Sequence, residues 1–186
     1  MLIIYEAQHA TDRQFVQFWS SQYRYAQEHL YCDNIGQELT EARIFCLFRW
    51  KNGTPLSDSK RESVRQNFVR RAGELKQIDP NRSVPELLDV FASGGVIWRI
   101  FWLHCWQPKR LPIYDQHVFR AMAFIQCGRR EEIPTRDPEK IESYVSRYLP
   151  FHARFGDIDL RHVDRALWQF GKFLKEQEHF PTRSAP

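Results

Sequence analysis

The sequence predicts an all-α protein, and three observations predict it. Apolar residues recur at three- and four-residue spacing along nearly the whole chain. Ser, Thr or Asp stands ahead of one apolar run after another, as helix N-caps do. Strand-type alternation is missing except in the short "LIIY" at residues 2–5.

Taken in order, Thr11 opens a first helix whose apolar stripe is Phe15, Phe18, Trp19, Tyr23, Ala26 and Leu30. Thr40 caps a second, "EARIFCLFRWK", stopped at Asn52-Gly53. Ser57 caps a third, on which Val64, Phe68, Ala72 and Leu75 share a face. "SVPE" is a capping box with proline in its first turn, so a fourth helix starts at Ser83 and ends by Gly94-Gly95. A fifth, "VIWRIFWLHCW", stops before Pro108. After the loop "QPKRLPIY", Asp115 opens a sixth, "QHVFRAMAFIQC", with Gly128 as its stop. Asp137-Pro138-Glu139 starts a seventh, and Asp159 caps an eighth that runs to about Gln177. The tail "PTRSAP" is expected to fray. No internal repeat, low-complexity tract or long linker divides the 186 residues, so one domain is predicted.

Hydrophobic residues make up 42% of the chain and aromatics 15%, enough for a core with aromatics left over for a pocket. The formal charge of +4 permits a polyanionic partner without demanding one. Cys32, Cys46, Cys105 and Cys127 form no CxxC pair, which argues against a zinc ribbon or an iron–sulfur loop. They read as buried free thiols of a reducing compartment. The opening "MLIIYEAQHATD" lacks a basic region and a long apolar run, and no segment reaches the ~18 apolar residues of a membrane span. A cytoplasmic chain without a membrane partner is expected.

The stretch "LPIYDQHVFRAM" places one carboxylate, Asp115, at the threshold of an apolar helix. A lone aspartate there is first of all an N-cap. Its context adds something. A short helix ends in "ASGGV", a second helix follows at once, and Asp115 lies twenty residues after Gly95. Amides at the start of the helix after such a glycine hairpin suit a phosphate, helped by the helix dipole. A carboxylate at the next helix start would then face the nucleotide that owns the phosphate.

This arrangement resembles the helix-hairpin-helix DNA glycosylase superfamily, which includes endonuclease III and the 8-oxoguanine glycosylases. The family hairpin has the form L-P-G-x-G and its catalytic aspartate sits in V-D-x-H-V-x-R. "IYDQHVFRA" has Asp115, His117, Val118 and Arg120 at the matching places. The resemblance covers residues 86 to 125, and residues 159 to 175 also resemble the last helix of compact bacterial 8-oxoguanine glycosylase-like proteins. The hairpin departs from the family by lacking the leading Pro-Gly, and the four-cysteine cluster of endonuclease III is absent.

The resemblance implies a two-lobed helical fold and a DNA glycosylase acting as a monomer on double-stranded DNA with a modified base. It implies no cofactor and no metal. Asp115 would be the catalytic group, and Gly94, Gly95 and Arg120 would hold DNA phosphate. Trp98, Trp102, His117, Trp168 and Phe170 are candidates for the pocket of the flipped base, and Trp50 or Asn52 for the wedge that fills its place. A tryptophan at helical spacing is more often core than pocket. Bifunctional members carry a nucleophilic lysine two residues after the second hairpin glycine; here that residue is Ile97, followed by Trp98 and Arg99. A monofunctional enzyme is expected, with Lys109 and Lys172 as the lysines that would overturn this. The base would be an oxidised purine in repair or a hypermodified base of phage DNA in defence. Two rivals stand beside this reading. One is a non-catalytic DNA-binding module on the same scaffold. The other is a metal-independent ribonuclease using Arg24 and His29 in an R-x4-H pattern.

Overall fold

A computed structural model of the chain describes residues 11–177. "LIIY" and "PTRSAP" lie outside the described residues. Among the described residues there is no strand, and ten α-helices follow one another: α1 (Asp12–Ser21), α2 (Glu28–Cys32), α3 (Glu41–Asn52), α4 (Asp58–Val64), α5 (Val84–Val90), α6 (Val96–Trp106), α7 (Gln116–Cys127), α8 (Asp137–Glu142), α9 (Leu149–Ala153) and α10 (Leu160–Glu176). None of these is long and apolar enough to cross a membrane. The all-α expectation holds, and so do the predicted caps. Thr11, Thr40, Ser57, Ser83, Asp115 and Asp159 each accept a bond from a first-turn amide.

Two elements differ from the sequence reading. The stripe from Phe15 to Leu30 is not one helix. α1 stops at Ser21, the chain leaves helical geometry, and α2 begins at Glu28. The Arg24 guanidinium donates to the carbonyls of Ser21 and Tyr23, closing α1 from outside. The third predicted helix keeps its buried face but changes pitch. α4 continues as a π-helical turn over Arg65–Val69 and then a 3-10 segment over Ala72–Gln77. Val64, Phe68 and Leu75 stay buried along it. A second π-helical stretch, Ser143–Tyr148, joins α8 to α9.

The helices sort into two compact units. One holds residues 25–114 and 134–149. Its centre is α6, apolar all round and accordingly buried along almost its whole length. Phe48 stacks on Phe68 with centroids 4.6 Å apart and meets Phe101 edge-on, while Trp102 fills the space between Phe68 and Phe91. The mixed-charge stretch around α4 forms local pairs, Arg65 with Glu62 and Arg71 with Glu74, as a solvated face would. None of the four cysteines forms a disulfide, but only Cys105 is buried; Cys32 and Cys127 are exposed. Burial pushes the Cys105 thiol well above its ordinary value.

The described part of the other unit comprises residues 11–24, 115–133 and 150–177. α10 buries Val163, Ala166, Leu167, Phe170 and Leu174, a stripe at three- and four-residue spacing. Phe170 sits in a ring cluster with Phe15, Trp19 and Phe124. α7 crosses α10 at Gly171, so closely that a Cβ there would lie 1.9 Å from the carbonyl oxygen of His117. Only glycine permits this approach.

Gly171→Ala is therefore expected to force the two helices apart. The expected cost is about 3 kcal/mol or more, a fall in melting temperature of roughly 6–12 °C for a chain of this size. Thermal unfolding followed by circular dichroism measures it. An unchanged melting temperature would mean that the crossing is not tight.

Candidate active site

The loop into Asp115 is built from buried backbone. Leu111, Ile113 and Tyr114 are at most 4% exposed. Buried carbonyls need donors, because an unpaired one costs about 1–3 kcal/mol. Side chains supply them. His104 Nδ1 lies 2.7 Å from the Leu111 carbonyl, which can only accept, so Nδ1 carries the proton. Its Nε2 is then an acceptor and takes the Tyr31 hydroxyl at 2.7 Å. Tyr144 donates to the Pro112 carbonyl at 3.1 Å, and Lys51 Nζ to the Tyr114 carbonyl at 3.2 Å. The Tyr114 hydroxyl in turn donates to Ser143 at 3.1 Å. Ser143 and Tyr144 come from the π-helical stretch, whose wider turn aims both at one loop.

Asp115 follows Tyr114 and caps α7. Its Oδ1 accepts the amides of His117 at 2.9 Å and Val118 at 3.2 Å. Both cap bonds go to one oxygen, so the cap fixes the carboxylate.

His117 and Trp168 meet where α7 and α10 cross, with ring centroids 5.2 Å apart. Arg120 does not fit the phosphate role expected of it. Its side chain is 2% exposed and every nitrogen is engaged within the unit. Nε and Nη2 bond the Glu132 carboxylate at 2.9–3.1 Å, and Nη1 bonds the Gly171 carbonyl at 3.0 Å. Nη1 also lies 3.4 Å from His117 Nδ1. Arg120 ties α7, the segment after it and α10 together.

Several pocket and wedge candidates lie in cores instead. Trp102 is fully buried, and Phe170 and Trp50 are 8% exposed. Trp50 donates Nε1 to Glu28 at 3.2 Å and stacks on Phe101. Asn52 is spent on its own turn, donating to Thr54 and accepting Lys60 at 2.7 Å. Neither is placed as a wedge. Trp98 is half-buried against Phe48. Of the named aromatics, Trp98, His117 and Trp168 keep partial exposure.

The glycine hairpin stands at the surface of the other unit. Gly94 has φ +88°, which an L side chain rarely adopts. Gly95 is the N-cap of α6, without a side-chain cap, and a Cβ there would meet nothing within 4 Å. The buried Arg99 braces the turn from behind by donating to the Ala92 carbonyl at 2.8 Å. A cleft of about 350 Å³ in the same unit is lined by residues such as Glu38, Leu75 and Trp106 and by none of the predicted site residues.

Sequence reasoning missed Lys51, which reads there as an ordinary cation in a helix's last turn. Only the fold brings it to Tyr114, 63 residues away. Lys109 is exposed, and Lys172 lies over the Trp168 ring at 5.4 Å. Among the described residues, no three His, Cys, Asp or Glu side chains are grouped to hold a metal ion. No protein-family model matches the chain, and no curated protein or solved structure matches it.

Burial holds the His117 pKa below its ordinary value, Asp115 pulls it the other way, and Arg120 adds to the lowering. The folded state thus resists a proton that the unfolded chain takes up near pH ~6.5. His117 costs no stability above that pH, and its penalty grows as pH falls below it. The urea midpoint should drop between pH of about 7 and about 5, and His117→Asn should flatten that drop. Equal slopes in the two proteins would show that His117 titrates as it does unfolded.

Proposed function

We propose that the chain is a monofunctional DNA glycosylase that hydrolyses the N-glycosidic bond of a modified base and leaves an abasic site. The observation that carries the proposal is Asp115: a carboxylate held by hydrogen bonds from two backbone amides, at the end of a loop whose carbonyls are tied by three side chains, within the D-x-H-V-x-R pattern. Plain capping does not need so rigid an approach.

The chemistry asks for little else. As the base departs with the bonding pair, positive charge develops on C1′ and the ring oxygen. A fixed carboxylate beside C1′ stabilises that charge and takes a proton from the attacking water. The hydroxyl adds to C1′, and the departing base is protonated by solvent or a nearby donor. In this reading the exposed hairpin at Gly94 and Gly95 takes a DNA phosphate on the amides that open α6, and the protein acts as a monomer. The substrate is an oxidised purine or a hypermodified base. With Ile97 at the hairpin lysine position, water is the nucleophile and the strand stays unbroken.

A non-catalytic DNA-binding module remains the second reading, favoured by the capping bonds that Asp115 makes. The ribonuclease reading loses its footing, because Arg24 and His29 do not share a helix and Arg24 is spent on closing α1.

Asp115→Asn separates the two surviving readings, since asparagine caps a helix about as well as aspartate. Melting temperature and DNA affinity should hold, while abasic-site formation falls about 10²–10³-fold or more. Wild-type rates with asparagine in place would remove Asp115 from the chemistry.

A further inference from the structure

α10 carries a second feature that the active-site assignment does not use. Arg161, Arg165, Trp168, Lys172 and Lys175 recur at steps of four, three, four and three residues, so they lie along one face of this helix. The first four are half-buried and Lys175 is exposed. Among these five positions the tryptophan is the one apolar residue, and Glu176, four residues after Lys172, is a carboxylate that flanks the row at its C-terminal end.

The cations are interleaved with rings. The guanidinium carbons of Arg161 and Arg165 lie 5.7 and 5.6 Å from the centre of the Tyr23 ring. Arg161 also donates to the Tyr23 hydroxyl at 3.5 Å. Tyr23 meets Trp168 edge-on at 5.4 Å, and Lys172 lies over Trp168 at 5.4 Å. Trp168 reaches His117 in the first turn of α7. The row therefore runs past the helix that Asp115 caps.

Alternation of fixed cations with aromatic rings suits one kind of partner. A nucleic-acid strand alternates phosphates with bases, and each base offers a π-face whatever its identity. An acidic peptide would use the cations and leave the rings idle. A guanidinium already held over a ring has less freedom to lose when it binds phosphate. Arg161 and Lys172 are separated by roughly 16 Å along the axis, a length that spans several nucleotides of an unstacked strand.

We infer that this face of α10 is a binding track for single-stranded DNA, with Arg161, Arg165 and Lys172 on phosphates and Trp168 stacked on a base. The inference rests on the glycosylase reading only in taking DNA as the partner. In that setting the track would hold the unpaired stretch that base extrusion creates.

The test uses the full chain carrying Asp115→Asn and an unmodified oligothymidylate, so base release plays no part. Affinity is measured by fluorescence anisotropy across a salt series. Arg161→Gln, Arg165→Gln and Lys172→Gln should each lower the slope of log affinity against log salt by about 0.7. Arg165→Lys should keep the slope. Trp168→Leu should weaken binding roughly 5- to 150-fold. If the arginine variants melt early, Lys172→Gln and Trp168→Leu decide alone. Unchanged slopes and affinities in folded variants would overturn the track, as would equal affinity for a polyglutamate of the same charge. Binding lost in the variants, together with no base release by the wild type, would keep the track and sink the glycosylase.

Discussion

The hydrogen bonds on the carbonyls of residues 111–114 are the constraint on which the candidate site depends. A buried loop with unpaired carbonyls would be too costly to persist. Here the donors come from α6 through His104, which Tyr31 of α2 bonds in turn, from α3 through Lys51, and from the π-helical stretch through Tyr144. Lys51 and Tyr144 are distant in sequence from the loop, so the loop is rigid only when that unit is folded. Asp115 is the first residue beyond it. Its carboxylate is locked by the two amides it caps.

Where α7 crosses α10, the same few residues do several jobs. Gly171 allows the crossing with α10, its carbonyl accepts Arg120, and the resulting closeness brings Trp168 onto His117. Arg120 holds this arrangement against Glu132, a bond between a buried guanidinium and an exposed carboxylate. Removing Glu132 would leave a buried charge short of acceptors, which is usually far worse than losing a surface pair. The matching motif thus has two parts with different duties. Asp115 belongs to chemistry in the proposed function, and Arg120 belongs to architecture.

Local signals were legible in the sequence and long-range ones were not. Caps, breakers and apolar spacing gave the boundaries of α3, α6, α7 and α10 because those depend on neighbouring residues. The stripe from Phe15 to Leu30 misled because Tyr23 and Tyr25 serve different units, and periodicity cannot reveal that a chain changes partners. The π-helical turns were invisible for a similar reason: only the targets of Ser143 and Tyr144 reveal their use. Trp102, Phe170 and Trp50 illustrate the ambiguity of aromatics, since the spacing of a core residue and of a pocket residue is the same. Lys51 and the pairing of Arg161 and Arg165 with Tyr23 arise from tertiary contacts that no motif announces.

The most direct measurement is incubation of the purified chain with a panel of duplexes, each bearing one oxidised purine or hypermodified base, with released small molecules identified by mass spectrometry. The account predicts a free base from at least one duplex, and a strand that stays whole until alkali breaks it at the vacated site. No free base from any duplex, by a folded chain that binds them, would contradict it.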